Sequence, residues 1–81
     1  MLGNNQLDPL DVKHRYERMN RDFNLDLSYE YFSKIHNRTT QRISDAFRGK
    51  APNLLKKIDK HLDYIEERET KKLEQLNTSL N

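Results

Sequence analysis

The chain has 81 residues, with 15 Lys and Arg against 13 Asp and Glu, 35% charged and 33% hydrophobic residues, 2 glycines and no cysteine. That length allows one domain with a modest core, and the missing cysteines exclude disulfides and thiolate metal sites. No apolar run approaches the ~20 residues of a membrane span, and the N-terminal Met-Leu-Gly-Asn-Asn-Gln lacks the basic and apolar regions of a signal peptide, so the expected address is the cytoplasm.

Residues 1–7 are polar around Gly3 and are expected to have no fixed structure. Asp8-Pro9 reads as a helix start, with Asp as N-cap and Pro at the first helical position. Val12, Tyr16, Met19 and Phe23 then recur at helical spacing and predict the inner face of a first helix. Arg15, Arg18 and Arg21 lie off that stripe, facing either a DNA backbone or, the favoured reading, solvent, where they pair with Glu17 and Asp22. Asn24 to Leu27 break the pattern and form a link.

Residues 28–49 predict two short helices around a tight turn. The Ser28 hydroxyl can cap the first of them by accepting an orphan backbone N–H, and Thr39 can do the same for the second. Phe32 and Ile35 share one apolar face, and Ile43, Ala46 and Phe47 share another. Asn37 stands where the chain must turn, in a role that favours a residue tolerant of left-handed backbone. Gly49 closes the second helix.

Pro52 starts a fourth helix after the short Lys50–Asn53 connection. Leu54, Leu55, Ile58, Leu62 and Ile65 form its stripe, and the period continues through Glu69, Leu73 and Leu76 to Leu80. No Pro or Gly interrupts it, and Glu67 precedes Lys71 in the supportive i,i+4 orientation. The expectation is one helix from about 52 to about 76, with 77–81 frayed. A tail this long must bury its leucines somewhere, and a second copy is the simplest partner. Leu62, Ile65, Leu73 and Leu76 are therefore the expected homodimer interface, with Glu69 weakening the seam. The whole reads as an all-α fold of about four helices: a domain at 8–62 and a C-terminal extension at 63–81.

The 28–50 stretch resembles the helix-turn-helix of the lambda-repressor/Cro-like (Xre) DNA-binding family. Ser33 holds the small position in the first helix of the motif, Asn37 the turn, Thr39 the cap of the recognition helix, Ile43 and Ala46 its locking positions, and Gly49-Lys50 the close. Leu27 stands where a leucine plugs the core. The chain departs at Arg38, normally apolar, and at Phe47, normally polar, which would face the fourth helix or a partner chain. It departs again at Tyr29, often Gln in the family, whose two-ended amide bracing a phenol cannot reproduce. The long fourth helix replaces two shorter ones and limits the resemblance to residues 10–62. The resemblance implies a transcription regulator that occludes or recruits polymerase at operator DNA.

The charge distribution points the same way. Residues 34–60 hold eight basic residues, Lys34, Arg38, Arg42, Arg48, Lys50, Lys56, Lys57 and Lys60, against Asp45 and Asp59, while the remainder holds seven basic and eleven acidic ones. Phosphate neutralisation needs such a concentration of positive charge. Gln41 can bond adenine, Arg42 guanine and the Thr40 methyl thymine, and these three with Asp45 are the candidate base readers. Ser28, Tyr29, Lys34, Arg38, Thr39, Arg48, Lys50 and Lys57 are the candidate phosphate contacts.

The sequence carries no catalytic or metal motif. His14, His36 and His61 are far apart in sequence and lack ligand spacing, and no Gly-rich phosphate loop exists. His36 alone, beside the turn, could approach a phosphate. No enzyme activity, cofactor or small-molecule substrate is expected. Two other classes stay open. One is a helical protein–protein adaptor or anti-repressor with a coiled-coil tail. The other is an RNA-binding module, which lacks the interleaved exposed aromatics expected for single strands.

Overall fold

The computed structural model describes residues 7–79, with side chains to residue 76. It is all-helical among the described residues: α1 Pro9–Phe23, α2 Tyr29–His36, α3 Thr40–Phe47 and α4 Pro52–Ser79. Local chemistry fixes the starts. Leu10 N–H donates to Asp8 Oδ1 at 3.0 Å, Tyr31 N–H to Ser28 Oγ at 3.2 Å and Arg42 N–H to Thr39 Oγ1 at 3.2 Å.

The first three helices end alike, each on a left-handed residue: Asn24 at φ 56°, Asn37 at φ 55° and Gly49 at φ 83°. In each case the next N–H reaches back to a carbonyl in the last turn: Leu25 to Asn20 at 3.0 Å, Arg38 to Ser33 at 3.0 Å and Lys50 to Asp45 at 2.8 Å. The Ser33 hydroxyl also donates to the Arg38 carbonyl, binding the last turn of α2 to the chain that leaves it. At Gly49 a side chain would strain the backbone, and its Cβ would stand 3.6 Å from Pro9 Cγ.

The core is a stack of rings above a layer of aliphatic side chains. Tyr16, Phe32 and Phe47, one from each of α1, α2 and α3, meet with centroids 5.3–6.0 Å apart. Ile43, Ile58 and Leu62 are 0% exposed, and Leu54, Leu55 and Ile65 complete the α4 face. Phe47 thus faces the rings of α1 and α2, not only α4 and not a partner chain; Tyr29 stacks on it in parallel at 5.2 Å. Ile35, expected beside Phe32, is 43% exposed: α2 has eight residues and meets the core chiefly through Phe32. Phe23 is only half-buried, at the rim. Leu7 packs against the core, so the unstructured segment expected at 1–7 does not include it; residues 1–6 lie outside those described. α4 runs on to Ser79, past the expected fraying point, while Leu80 lies outside the described residues.

Two sets of polar contacts, one across the α1–α2 link and one from α1 to α4, were not legible in the sequence. Asn20 spans the α1–α2 link with both ends of its amide, accepting from Leu27 N–H at 2.8 Å and donating to Leu27 O at 3.0 Å. Leu27 is thereby fixed as a plug under the core. Arg15, expected toward solvent near Glu17 and Asp22, instead crosses to α4 and meets Asp59 at 2.9 Å, Asp63 at 2.7 Å and Glu66 at 2.7 Å. Burial pushes its guanidinium down, but the bonds to Glu66, Asp63 and Asp59 outweigh that and hold it above its usual value. Two of the three carboxylates are more than half exposed, so solvent screens much of the attraction. Arg15→Met, which keeps the apolar stem, is expected to lower stability by up to about 1 kcal/mol in urea denaturation at low salt, with most of the difference gone at about 1 M salt.

Candidate nucleic-acid interface

The surface around α3 is assembled by the caps just described. The left-handed turn at Asn37 ends α2, Arg38 carries the chain across, and the Thr39 cap starts α3. Residues 38–42, Arg-Thr-Thr-Gln-Arg, are consequently all exposed at the N-terminal end of α3, while Ile43, Ala46 and Phe47 bury its opposite side. Arg48 and Lys50 are exposed at the far end, about 12 Å along the axis at 1.5 Å per residue.

The Lys34–Lys60 segment, which runs from α2 through α3 into α4, carries a predominantly positive charge. All eight basic residues between Lys34 and Lys60 are exposed. Among the described residues none of the eight forms an ion pair, whereas Arg15, Arg68, Lys71 and Lys72 all do. Both acidic residues of the segment are already engaged. Asp59 is held by Arg15, and Asp45 Oδ1 accepts from Gln41 Nε2 at 3.2 Å. The positive charge of the segment is therefore presented to solvent without an internal counter-ion among the described residues, although the Arg38 guanidinium donates to the Asn37 carbonyl at 3.4 Å.

The other candidate residues are placed unevenly. Lys34 is exposed on α2 and Lys57 on α4, the latter close enough to His36, together with Arg38, to act on its charge. The Ser28 and Thr39 oxygens accept the capping N–H groups, which leaves each O–H to donate elsewhere. Tyr29 is half-buried with its ring face against Phe47, so it braces α3 by stacking. No protein-family model, curated protein or solved structure matches this chain. Among the described residues no group of three or more His, Asp or Glu side chains could hold a metal ion, and no helix is long and apolar enough to cross a membrane.

The expected dimer residues divide sharply. Leu62 is 0% and Ile65 1% exposed, both buried in their own chain's core, so they do not form an accessible interface. Helical periodicity assigned them to the correct face of α4 but could not mark where the core ends, which is one turn further along than expected. Leu73 and Leu76 continue the same stripe beyond the core and are 49% and 60% exposed. Glu69, the charge on that stripe, lies against Arg68 at 3.2 Å and Lys72 at 3.3 Å and keeps only 12% side-chain exposure. His36 and His61, unrelated in sequence, meet with ring centroids 5.9 Å apart. Their separation of 25 positions, from an α2 end to a mid-α4 site, left no sequence signal for that contact.

Proposed function

We propose that this chain is a sequence-specific DNA-binding regulator that reads the major groove with the N-terminal turn of α3. The observation that carries the reading is the exposed, internally unpaired basic segment around a helix whose first turn projects from the core. Gln41 and Arg42 read base edges, with Thr40 beside them, while Asp45 orients the Gln41 amide. Lys34, Arg38, Thr39, Arg48, Lys50 and Lys57 meet phosphates. The resemblance of residues 28–50 to the lambda-repressor/Cro-like motif supports the same assignment.

The working form is a homodimer joined by the exposed end of α4 through Leu73 and Leu76. Such a dimer would place two copies of α3 about one DNA turn apart, ~34 Å, on a near-palindromic site. The exposed leucines also fit an adaptor that docks another protein's helix, the second reading. Selection of binding sites from random duplex DNA separates them. The DNA reading expects paired half-sites to be enriched, and Gln41→Ala to cost roughly 1–3 kcal/mol at the selected site with little change on random DNA. A folded sample that enriches nothing and shifts no duplex at low salt sinks the DNA reading and leaves the adaptor.

A further inference from the structure

The joint between the end of α2 and the middle of α4 is built from rings, not ion pairs. His36, the last residue of α2, meets His61 edge to face, with centroids 5.9 Å apart at 82°. The Tyr31 hydroxyl lies 2.9 Å from Nε2 of His61, Tyr64 stacks near His61 at 6.0 Å, and Phe32 lies beside His36 at 6.4 Å. Nε2 of His36 is closed off from solvent and has no hydrogen-bond partner. A neutral imidazole tolerates this, because one ring nitrogen can present a bare lone pair. An imidazolium does not, because its buried N–H would need an acceptor.

The charged groups that act on the pair are all positive. Arg38 reaches His36 from the turn and Lys57 from α4, and Arg68 on α4 acts on His61 while itself bonding Glu69. Tyr31 and Tyr64 supply the remaining titratable groups; burial pushes the Tyr31 phenol up, so it meets His61 as a neutral hydroxyl. The C-terminal end of α2 would favour a cation, but burial and the neighbouring positive groups outweigh it at His36.

We propose that His36 and His61 form a proton-operated latch, which holds the end of α2 and the 37–39 turn against α4 while both rings are neutral and releases them when acid charges the pair. Burial first, then His61, Lys57 and Arg38, push His36 below the ordinary value; burial first, then Arg68, do the same for His61. The unfolded chain takes up these protons near ~6.5, and the folded chain only at lower pH. Between those values the unfolded state binds more protons, so stability is complete above ~6.5, is lost as pH falls through that range, and levels off below the folded-state values. The device belongs to the protein alone and does not depend on the DNA reading. Its consequence is local, because the Asn37 turn and the Thr39 cap set where α3 begins.

Proton NMR of the full chain between pH 7.5 and 5 tests the latch directly. The His36 and His61 ring signals should titrate with midpoints below ~6.5. Exchange of the Asn37 and Arg38 amides, corrected for its intrinsic pH dependence, should rise about tenfold or more on acidification. The Asn24 and Leu25 amides, which close α1 by the same geometry, should keep their protection. The Tm should fall by about 4 °C or more over the same range, and a His36→Phe/His61→Phe variant, which preserves ring packing, should lose less than half as much. His14→Gln, at an exposed site, should behave as the wild type. Midpoints at or above ~6.5, equal opening at both turns, or an unchanged Tm loss in the double variant overturns the latch. If the double variant does not fold, the wild-type titration and exchange decide the matter.

Discussion

Leu62→Ala should strongly destabilise the fold of a single chain, with no change in association needed to produce the loss. The side chain is 0% exposed on the buried face of α4, and truncating a leucine at such a site costs about 2–5 kcal/mol. A chain of this length has roughly 4–12 kcal/mol of stability in all, at the usual 0.05–0.15 kcal/mol per residue. The variant should therefore show a much lower urea midpoint at every protein concentration. Leu73→Ala and Leu76→Ala should behave oppositely. Each lies past the core and is about half exposed or more, so dilute samples should keep the wild-type midpoint. At tens of micromolar, where an order-of-magnitude micromolar dimer would assemble, sedimentation should show them shifted toward monomer. If Leu62→Ala keeps its midpoint and changes only the association state, the assignment of Leu62 to the core of a single chain is wrong.

This contrast marks what the sequence could reveal. Periodicity names a face of a helix, and the face of α4 was legible from Leu54 to Leu76. Burial depends on what lies opposite, and only the arrangement of α1 to α3 determines that the apolar side chains of α4 are covered as far as Ile65 while Leu73 and Leu76 are exposed. Caps and turns were legible because their chemistry is local. Asp8, Ser28, Thr39, Asn37 and Gly49 each act on backbone groups within a few positions of themselves. The contacts without a sequence signal join residues far apart in the chain. Arg15 meets Asp59 across 44 positions, His61 meets Tyr31 across 30, and nothing local to any of them specifies the pairing. Asn20 is an intermediate case. It reaches Leu27 across only seven positions, but an amide that bonds both polar groups of one residue leaves no periodic trace. The candidate interface follows the same division. Exposure of 38–42 follows from the Thr39 cap and the inward Ile43, Ala46 and Phe47, while the absence of ion pairs among the segment's cations, with Asp59 held by Arg15 of α1, rests on contacts that no local pattern marks.

The last consequence gives the proposed DNA binding its largest expected effect. Each phosphate that a lysine or arginine neutralises releases counter-ion, and the logarithm of affinity falls with the logarithm of salt by about 0.9 per neutralised phosphate. A dimer presenting the Lys34–Lys60 segment twice has enough exposed cations to neutralise about six to ten phosphates, on the order of a 1,000-fold or greater loss of affinity between about 50 and 200 mM salt. Arg38→Ala and Lys57→Ala should each weaken binding to all duplexes alike and flatten that slope, by about 0.9 for each phosphate no longer neutralised, and by twice that where the change acts in both subunits. Lys71→Ala supplies the comparison. Its ammonium already lies 3.2 Å from Glu67 on the α4 extension, so its loss should leave the slope unchanged. Arg15→Met makes the sharper test. It removes a cation on α1, outside the proposed contact residues, and leaves Asp59 of the Lys34–Lys60 segment without its counter-ion, which lowers the net positive field of the segment and should weaken binding. Fluorescence titrations across a salt series measure all four variants on one scale. A slope near zero for the wild type, or equal flattening by Lys71→Ala and Arg38→Ala, would mean that the basic segment is only a solvated surface.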